Sequence, residues 1–237
     1  HERNNTPAVI TGCTEPHWKA RSSWTFSAFL RRFGDTAWRF SDTHGEMLTM
    51  RTYSKYIHGV EGLTDDSPLA IYDAEFGDDE ATSELLEEYS VPRCFSEDLF
   101  SYCDDENDDD ENENDDDENN NNNNNSHSRP PYRWILIGPA RSGTGLHIDP
   151  LWTNAWVTVL SGCKRWVLFP KDTPPEAIGL TSNTTSNTNT ECQAPPQIIP
   201  SIIWFRDYYD RCCRCPSFPW KPVEVLQRPG ETVFVPK

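Results

Sequence analysis

The sequence predicts a mainly β fold with flanking α-helices, of the sandwich or jelly-roll type, and three observations lead to this class. Short apolar segments rich in β-branched and aromatic residues recur after residue 129. Pro or Gly bounds these segments, and no helical periodicity separates them. The chain of 237 residues, with nine Trp and eleven Phe, is also long enough to bury a sizeable core. Several short strands in this arrangement are typical of a sandwich or jelly-roll barrel.

Four segments carry the strand prediction. The first, YRWILIGP, is followed by the turn ARSGTG. The next two, NAWVTVL and KRWVLFP, are separated only by the residues SGC. The last, ETVFVP, follows a Pro-Gly pair. Each is short, apolar and β-branched or aromatic, as expected for strands of a barrel.

The chain divides into three predicted regions. Residues 1–103 mix helical and strand signals and are expected to form an N-terminal α/β layer that packs on the barrel. Residues 104–128 are dominated by Asp, Glu and Asn, so we expect a disordered insertion with almost nothing to bury. Residues 129–237 are expected to form the jelly-roll domain itself.

The acidic charge is concentrated in the predicted insertion. The formal net charge is −17, and twelve acidic residues lie between Asp104 and Glu118, which leaves about −5 for the rest of the chain. A mildly acidic body predicts no direct binding to DNA, whose phosphates would repel it. The sequence shows no signal-peptide core and no apolar run of membrane length, so we expect neither secretion nor a membrane span.

Cysteine spacing indicates reduced thiols of an intracellular protein rather than a disulfide framework. The eight cysteines are scattered, apart from Cys212, Cys213 and Cys215. Together with Cys192 these could form a thiolate zinc site, but they lack the paired Cys-x-x-Cys motifs that such sites use. We interpret them as ordinary thiols.

Most of the tryptophans are predicted to be packing residues. Trp156 and Trp166 fall within predicted strands and are expected in the barrel. Trp18, Trp24 and Trp38 are expected in the core of the N-terminal layer.

His147 and Asp149, in the stretch GTGLHIDPLW, are the first candidates for a metal site. In an extended strand, residues two apart point to the same face, so an imidazole and a carboxylate could bind one ion there. Together with a second histidine they would form the facial triad of non-haem iron oxygenases. His44 and Glu46 repeat the spacing in a polar turn, so the pattern alone favours a hydrogen-bonded surface pair over a metal site.

Lys164 is the second candidate, because it opens the segment KRWVLFP fifteen residues after Asp149. A Lys inside a barrel needs an anionic partner, since a lone buried ammonium is costly. The alternative interpretation is an outward-facing, solvated Lys.

The segment YRWILIGPARSGTGLHIDPLWTNAWVTVLSGCKRWVLFPKDTP resembles the Jumonji-C (JmjC) oxygenase family. Within that family it is similar to the branch of bifunctional arginine demethylases and lysyl hydroxylases, formerly called the phosphatidylserine receptor. TDDSPLAIYD, YSVPRCFSEDLF, IIWFRDYY and WKPVEVLQRPGETVFVP match the branch in the same order, so the likeness covers nearly the whole chain. The resemblance implies a double-stranded β-helix, or cupin-like jelly roll, that holds Fe(II) and 2-oxoglutarate.

Carried over by residue, the resemblance assigns His147 and Asp149 as iron ligands. It assigns Lys164 to the distal carboxylate of 2-oxoglutarate, with Thr144 hydrogen-bonding near the same carboxylate. Pairing a cation with one end of a dianion whose other end chelates a metal is sound chemistry.

The resemblance also implies the reaction. The expected activity is a 2-oxoglutarate-dependent dioxygenase that uses O2 to hydroxylate lysine side chains, to demethylate methylated arginine or lysine, or both. The expected substrates are nuclear proteins with Lys- or Arg-rich segments, such as histones or RNA-processing proteins. A nuclear location follows from the resemblance alone.

Four departures from the family pattern qualify this expectation. The family's third iron ligand is a His shortly after VFVP, and no His follows His147 here. We therefore expect a barrel that is incomplete at its C-terminus and a chain that is inactive as printed. Ala70 and Val157 replace an aromatic and an Asn expected to contact the cosubstrate, and Trp152 replaces a small residue and is expected to narrow the substrate entrance.

These departures leave one alternative of another class. In that alternative the protein is a non-catalytic jelly-roll interaction module that has lost the complete iron site. Its acidic insertion would then attract basic partner proteins.

Overall fold

A computed structural model describes residues 2–14, 17–40, 47–98, 131–149, 153–180 and 199–237. The predicted disordered insertion at 104–128 lies outside the described residues. So do His44, Glu46, Trp152 and Cys192.

The first half of the chain alternates short helices with three-residue strands. In order, its elements are a 3-10 helix at Glu2–Asn4, β1 (Ala8–Ile10), α1 (Ala20–Ser23), α2 (Phe26–Arg32), β2 (Ala37–Arg39), β3 (Met47–Thr49), α3 (Met50–His58), α4 (Val60–Thr64), β4 (Ile71–Asp73), and 3-10 helices at Ser83–Glu88 and Arg93–Phe95.

The second half is richer in strands. Its elements are β5 (Ile135–Ile137), β6 (Ala155–Thr158), β7 (Lys164–Leu168), a 3-10 helix at Pro175–Ile178, α5 (Ser201–Asp207), a π-helical turn at Asp210–Arg214, β8 (Val223–Gln227) and β9 (Thr232–Val235).

Every strand pairing among these elements is antiparallel. One sheet has the order β1-β9-β6, and three two-stranded pairs are β2-β3, β4-β5 and β7-β8. The N-terminal strand β1 thus adds to the sheet formed by the last strand, and β4 pairs with β5 across the insertion. Strands distant in sequence therefore lie side by side, as a jelly-roll barrel requires.

Side-chain caps fix where the two longer N-terminal helices begin. The Thr25 side chain accepts a hydrogen bond from the Ala28 backbone N–H at the start of α2. The Thr49 side chain accepts from the Thr52 backbone N–H at the start of α3. Each cap satisfies one of the backbone N–H groups that a helix start leaves unpaired.

The main core lies in the N-terminal layer. Ten buried residues form one cluster between α2, α3 and the strands beside them. They are Phe29, Phe33, Trp38, Phe40, Met50, Tyr53, Ile71, Phe76, Leu85 and Ile135. This arrangement confirms the prediction that Trp38 is a core residue, and Trp18 is also buried.

Besides the pairing of β1 with β9, a stack of aromatic rings joins the N-terminal layer to the main sheet. The Phe95 ring stacks on that of Trp156 with a centroid distance of 5.8 Å, and on that of Phe234 at 6.0 Å. Trp156 and Phe234 are themselves register partners on β6 and β9. Trp156 is therefore a packing residue, as predicted.

The structure confirms the four predicted strands and corrects two points. The segment VEVLQ forms β8, paired along its whole length with β7, although it was not singled out as a strand. The expectation that no helix separates the strands is wrong, because α5 lies between β7 and β8. Its Trp204 is buried in a second core cluster with Ile178 and Cys212, so tertiary packing stabilises this helix.

Candidate active site

His147 and Asp149 point toward each other. The His147 Nε2 atom lies 3.2 Å from Asp149 Oδ1, with the two side chains 39% and 33% exposed. The two residues lie in irregular backbone after β5 rather than in the extended strand assumed from the sequence. Strand alternation was therefore the wrong reason, but the two donor groups do share one side.

The other ring nitrogen of His147 is engaged by the backbone. Its Nδ1 lies 2.8 Å from the Gly145 carbonyl oxygen, which is a hydrogen bond when Nδ1 carries the proton. A metal ion bound at Nε2 would take the place of the proton that Nε2 donates to Asp149, while the Gly145 carbonyl still holds the Nδ1 proton, the arrangement that metal-ligating histidines commonly show.

Arg141 holds the loop that carries this pair. Its backbone adopts a left-handed conformation with φ of 74°, which is uncommon outside Gly. Its guanidinium donates to the carbonyls of Gly62, Leu63 and Asp65 at the end of α4. Because three carbonyls without helical partners are satisfied at once, the N-terminal layer fixes the position of the loop.

The interaction between the two side chains shifts their pKa values in opposite directions. The hydrogen bond from His147 lowers the pKa of Asp149 against the effect of its burial. The hydrogen bond to Asp149 likewise raises the pKa of His147. The positive charge of Lys164 also lowers the pKa of Asp149, so Lys164 lies within electrostatic reach of the pair.

Lys164 is not directed into open solvent. It is partly buried at the start of β7, and burial lowers its pKa to about 8. Its Nζ lies 4.2 Å from the centre of the Trp166 ring, two residues along the same strand and on the same face. The role of this ammonium as the partner of an anion stays a prediction.

Gln227 anchors the tryptophan beneath Lys164. This residue of β8 is fully buried, and its Oε1 accepts from the Trp166 indole N–H at 2.7 Å. Its Nε2 donates to the carbonyls of Val157 and Glu231, each at 2.8 Å. With every polar atom satisfied, Gln227 fixes the ring orientation and hence the position of Lys164.

Tyr72 is a site residue that the sequence analysis missed. Burial, and after it the negative charge of Asp149, raises the pKa of the Tyr72 hydroxyl, so Tyr72 lies within electrostatic reach of the pair. The ring packs on Trp134 with a centroid distance of 4.6 Å. The family has an aromatic residue at the position of Ala70, and Tyr72 lies two residues further along the chain. In a strand, residues two apart point to the same face, and this spacing was the available signal for Tyr72.

The remaining predicted positions differ in exposure. Thr144 lies exposed in the loop, three residues before His147. Val157 lies on β6 and contributes its carbonyl to Gln227. Ala70 packs close to Gly138. A side chain on Gly138 would crowd it, since an added Cβ would lie only 3.2 Å from the Ala70 Cβ.

The donor set fits a divalent transition metal. A neutral imidazole nitrogen and a carboxylate are two of the three ligands used by non-haem iron oxygenases. Within the parts of the chain that the structure describes, no group of three or more His, Cys, Asp or Glu side chains is placed to hold an ion. His147 and Asp149 therefore define two ligand positions.

These features belong together in one class of protein. A family model described as "JmjC domain, hydroxylase" matches residues 134–237, the part of the chain that carries His147, Asp149 and Lys164. Residues 134–237 thus match the JmjC domain, which is a cupin-like jelly roll, and the predicted fold class is confirmed.

Curated relatives narrow the comparison. The chain is 37% identical over 99% of its length to the bifunctional arginine demethylase and lysyl-hydroxylase psr-1 of Caenorhabditis elegans, of which it covers 51%. It is 32% identical over 99% of its length to the arginine-specific demethylase JMJ22 of Arabidopsis thaliana, covering 38% of that protein. It is 23% identical over 98% of its length to the 2-oxoglutarate and iron-dependent oxygenase JMJD4 of Mus musculus, covering 51% of it. The chain thus spans about half the length of the Caenorhabditis and Mus relatives and 38% of the Arabidopsis relative.

Among the described residues, no helix combines the length and apolar character needed to cross a bilayer.

Proposed function

We propose that the intact protein is an Fe(II)- and 2-oxoglutarate-dependent oxygenase that acts on protein side chains. The observation that carries the proposal is the His147–Asp149 pair at 3.2 Å with the partly buried Lys164 ammonium within electrostatic reach. The names of the relatives, which are those of demethylases, hydroxylases and oxygenases, support an enzyme over the non-catalytic interaction module.

His147 and Asp149 would hold the iron through Nε2 and the carboxylate. Bound there, iron would supply the redox chemistry, in which O2 and 2-oxoglutarate are consumed and a C–H bond of the substrate is oxidised. The Gly145 carbonyl keeps the Nδ1 proton of His147 in place, so Nε2 stays available as a ligand.

Lys164 would bind the distal carboxylate of 2-oxoglutarate, and Thr144 would donate a hydrogen bond near it. Burial lowers the pKa of Lys164, and a carboxylate would provide the direct ion-pair partner that the described part of the chain does not supply. Trp166 and Gln227 would position the ammonium before the cosubstrate arrives.

The proposed substrates are proteins with Lys- or Arg-rich segments, histones or RNA-processing proteins among them, in the nucleus. The support is the names of the relatives described above, which refer to arginine demethylation and lysyl hydroxylation. One chemistry serves these reactions. Hydroxylation of a side-chain carbon leaves a stable alcohol, whereas hydroxylation of an N-methyl carbon gives a product that loses formaldehyde.

The test is turnover by the intact protein with iron, ascorbate, 2-oxoglutarate and Lys-rich or methyl-Arg peptides. Succinate release that depends on iron is expected, together with a peptide that gains one oxygen atom or loses one methyl group. The Asp149→Ala variant is expected to release no succinate while remaining folded. Iron-independent or absent succinate release from the folded wild-type protein would reject the proposal.

A further inference from the structure

Two cysteines that are distant in sequence lie side by side where the N-terminal layer meets the main sheet. Cys13 follows β1, which pairs with β9, and Cys94 lies in the 3-10 helix at Arg93–Phe95. The Phe95 ring, next to Cys94, stacks on Phe234 of β9. Both cysteines are therefore attached to segments that contact the same strand.

The two thiols are in direct contact. The side chains of Cys13 and Cys94 share a hydrogen bond, in which either S–H group can donate. Both are free thiols in this structure. Because the sulfur atoms already touch, only small side-chain movements separate the pair from the geometry of a disulfide.

The two thiols differ in their access to solvent. Cys94 is exposed, whereas Cys13 is only 8% exposed. A dissolved oxidant therefore reaches Cys94 first, and burial shields Cys13 from small thiols and from other protein molecules. The nearest thiol to an oxidised Cys94 is that of Cys13. Redox-responsive cysteines are often arranged in this way, with an accessible sulfur beside a second one that resolves the oxidised product.

The environment of Cys94 makes its oxidation slow. Burial, and after it the neighbouring Cys13, raises the pKa of the Cys94 thiol. The thiolate is the reactive form, and a raised pKa keeps its fraction small at neutral pH. We therefore expect the pair to stay reduced in an intracellular environment and to respond to sustained oxidant over minutes to hours.

We propose that Cys13 and Cys94 form a reversible disulfide in the presence of a peroxide, and that this bond fastens the Phe95 segment to the edge of the main sheet. This device is independent of the iron and cosubstrate residues, so it does not rest on the proposed function.

The reaction balances in two steps. The Cys94 thiolate attacks one oxygen of hydrogen peroxide and breaks the O–O bond, which leaves a sulfenic acid on Cys94, and the displaced hydroxide takes up a proton to become water. The Cys13 thiol then gives up its proton and attacks the Cys94 sulfur, which forms the S–S bond and releases a second water. The two sulfurs lose two electrons, and the peroxide gains them. A dithiol reductant reverses the bond by thiol–disulfide exchange.

The bond is expected to stabilise the folded protein. It would close a loop that contains most of the N-terminal layer, and a cross-link across a long loop restricts the unfolded chain. We expect the oxidised protein to melt at a temperature roughly 5–15 °C above that of the reduced protein. The bond would also hold the Phe95 ring on Trp156 and Phe234.

Peptide mapping of the intact protein tests whether the bond forms. The protein is treated with hydrogen peroxide at neutral pH, its remaining thiols are blocked, and it is digested without reduction. Mass spectrometry should show the peptides of Cys13 and Cys94 joined with the loss of two hydrogen atoms, and dithiothreitol should separate them. The joined peptides should be absent from Cys94→Ser and present in the control Cys163→Ser, which removes an exposed cysteine between β6 and β7.

Thermal melts of the same proteins test what the bond does. Each variant is compared with itself, oxidised against reduced, so that a change in its baseline stability does not enter the result. The wild type and Cys163→Ser should show the full rise in melting temperature, and Cys94→Ser should show none.

Three results would overturn the proposal. One is a Cys94 that is oxidised beyond the sulfenic acid, or joined to another thiol, while Cys13 stays free. Another is a Cys94 that resists peroxide in the folded protein. The third is an equal rise in melting temperature in Cys94→Ser and in the wild type.

Discussion

The N-terminal core and the candidate active site differ most in how far they exclude water. Trp38, Tyr53 and Phe29 are each no more than 2% exposed, and rings pack edge-to-face through the core. The side chains of His147 and Asp149 are about a third exposed, and every residue of β6 is only partly buried. One region supplies stability, and the other keeps polar groups accessible for chemistry.

The two regions also use charge differently. In the N-terminal layer the charges are paired, because Arg32 forms ion pairs with the exposed Glu84 at 2.8 Å and with the largely buried Glu88 at 2.6 Å. In the candidate active site Lys164 is partly buried and forms no ion pair with the described residues, and its pKa falls to about 8 because of that burial. Groups that are costly to keep in a folded protein are typical of functional sites.

The largest expected effect comes from truncating the core. Phe29→Ala removes a buried ring that packs on Trp24, Phe33 and Trp38. We expect it to lower the free energy of unfolding by about 3–5 kcal/mol, measured by urea denaturation. Val60→Ala, at a position 73% exposed, is the control and is expected to change it by less than about 0.5 kcal/mol. Similar losses in both variants would contradict the assignment of the core.

Removing the buried charge of the candidate active site should reduce ligand affinity without reducing stability. Lys164→Met is expected to leave the free energy of unfolding unchanged or slightly higher, because a costly buried ammonium is removed. Its affinity for 2-oxoglutarate in the presence of Mn(II) should fall about 10- to 100-fold, as expected for a lost charge-assisted hydrogen bond. Calorimetry measures both quantities. An unaltered affinity would remove Lys164 from the cosubstrate site.

The pH dependence of binding sharpens the same contrast. Burial lowers the pKa of Lys164 from 10.5 in the unfolded chain to about 8 in the folded protein. Between these two pH values the unfolded chain binds more protons than the folded one. The contribution of Lys164 to the free energy of unfolding therefore rises with pH in this range. Affinity for 2-oxoglutarate should run the other way and fall by up to about tenfold between pH 7 and pH 9, as the ammonium loses its proton.

Lys164→Arg is the matched control, because a guanidinium remains charged throughout this range. It is expected to flatten the dependence, even if its absolute affinity is lower. An equally steep fall in the Arg variant would assign the titration to another group.

The smallest expected effect is at Tyr72. Tyr72→Phe keeps the ring against Trp134 but removes the hydroxyl that feels the charge of Asp149. We expect a loss of roughly 0.5–1.5 kcal/mol in 2-oxoglutarate or substrate binding, a few-fold change. Tyr132→Phe, at a residue 52% exposed, serves as the comparison and should leave both affinities unchanged. Equal behaviour of the two variants would place the Tyr72 hydroxyl outside the site.

The sequence predicted the parts of the fold whose pattern is local. KRWVLFP and ETVFVP are continuous apolar runs, and both form strands. VEVLQ was missed because Glu224 interrupts it and Pro222 precedes it. SIIWFRD forms a helix only because Trp204 is buried in a second core, which short apolar runs do not reveal.

The active site was predictable only in part. His147 and Asp149 were found through a spacing that applies to strands, although irregular backbone brings them together. Tyr72 and Gln227 act through residues distant in sequence, so their roles depend on the pairing of β4 with β5 and of β7 with β8.

Metal binding tests the central claim most directly. Electron paramagnetic resonance of Mn(II) titrated into the apo protein should show one bound ion in the wild type and in the surface control Asp172→Asn. Loss of a residue that only hydrogen-bonds a metal ligand typically weakens metal binding by roughly 10- to 100-fold. His147→Ala and Asp149→Ala remove ligands themselves, so each should weaken Mn(II) binding by more than that. Wild-type affinity for Mn(II) in both ligand variants would contradict the account.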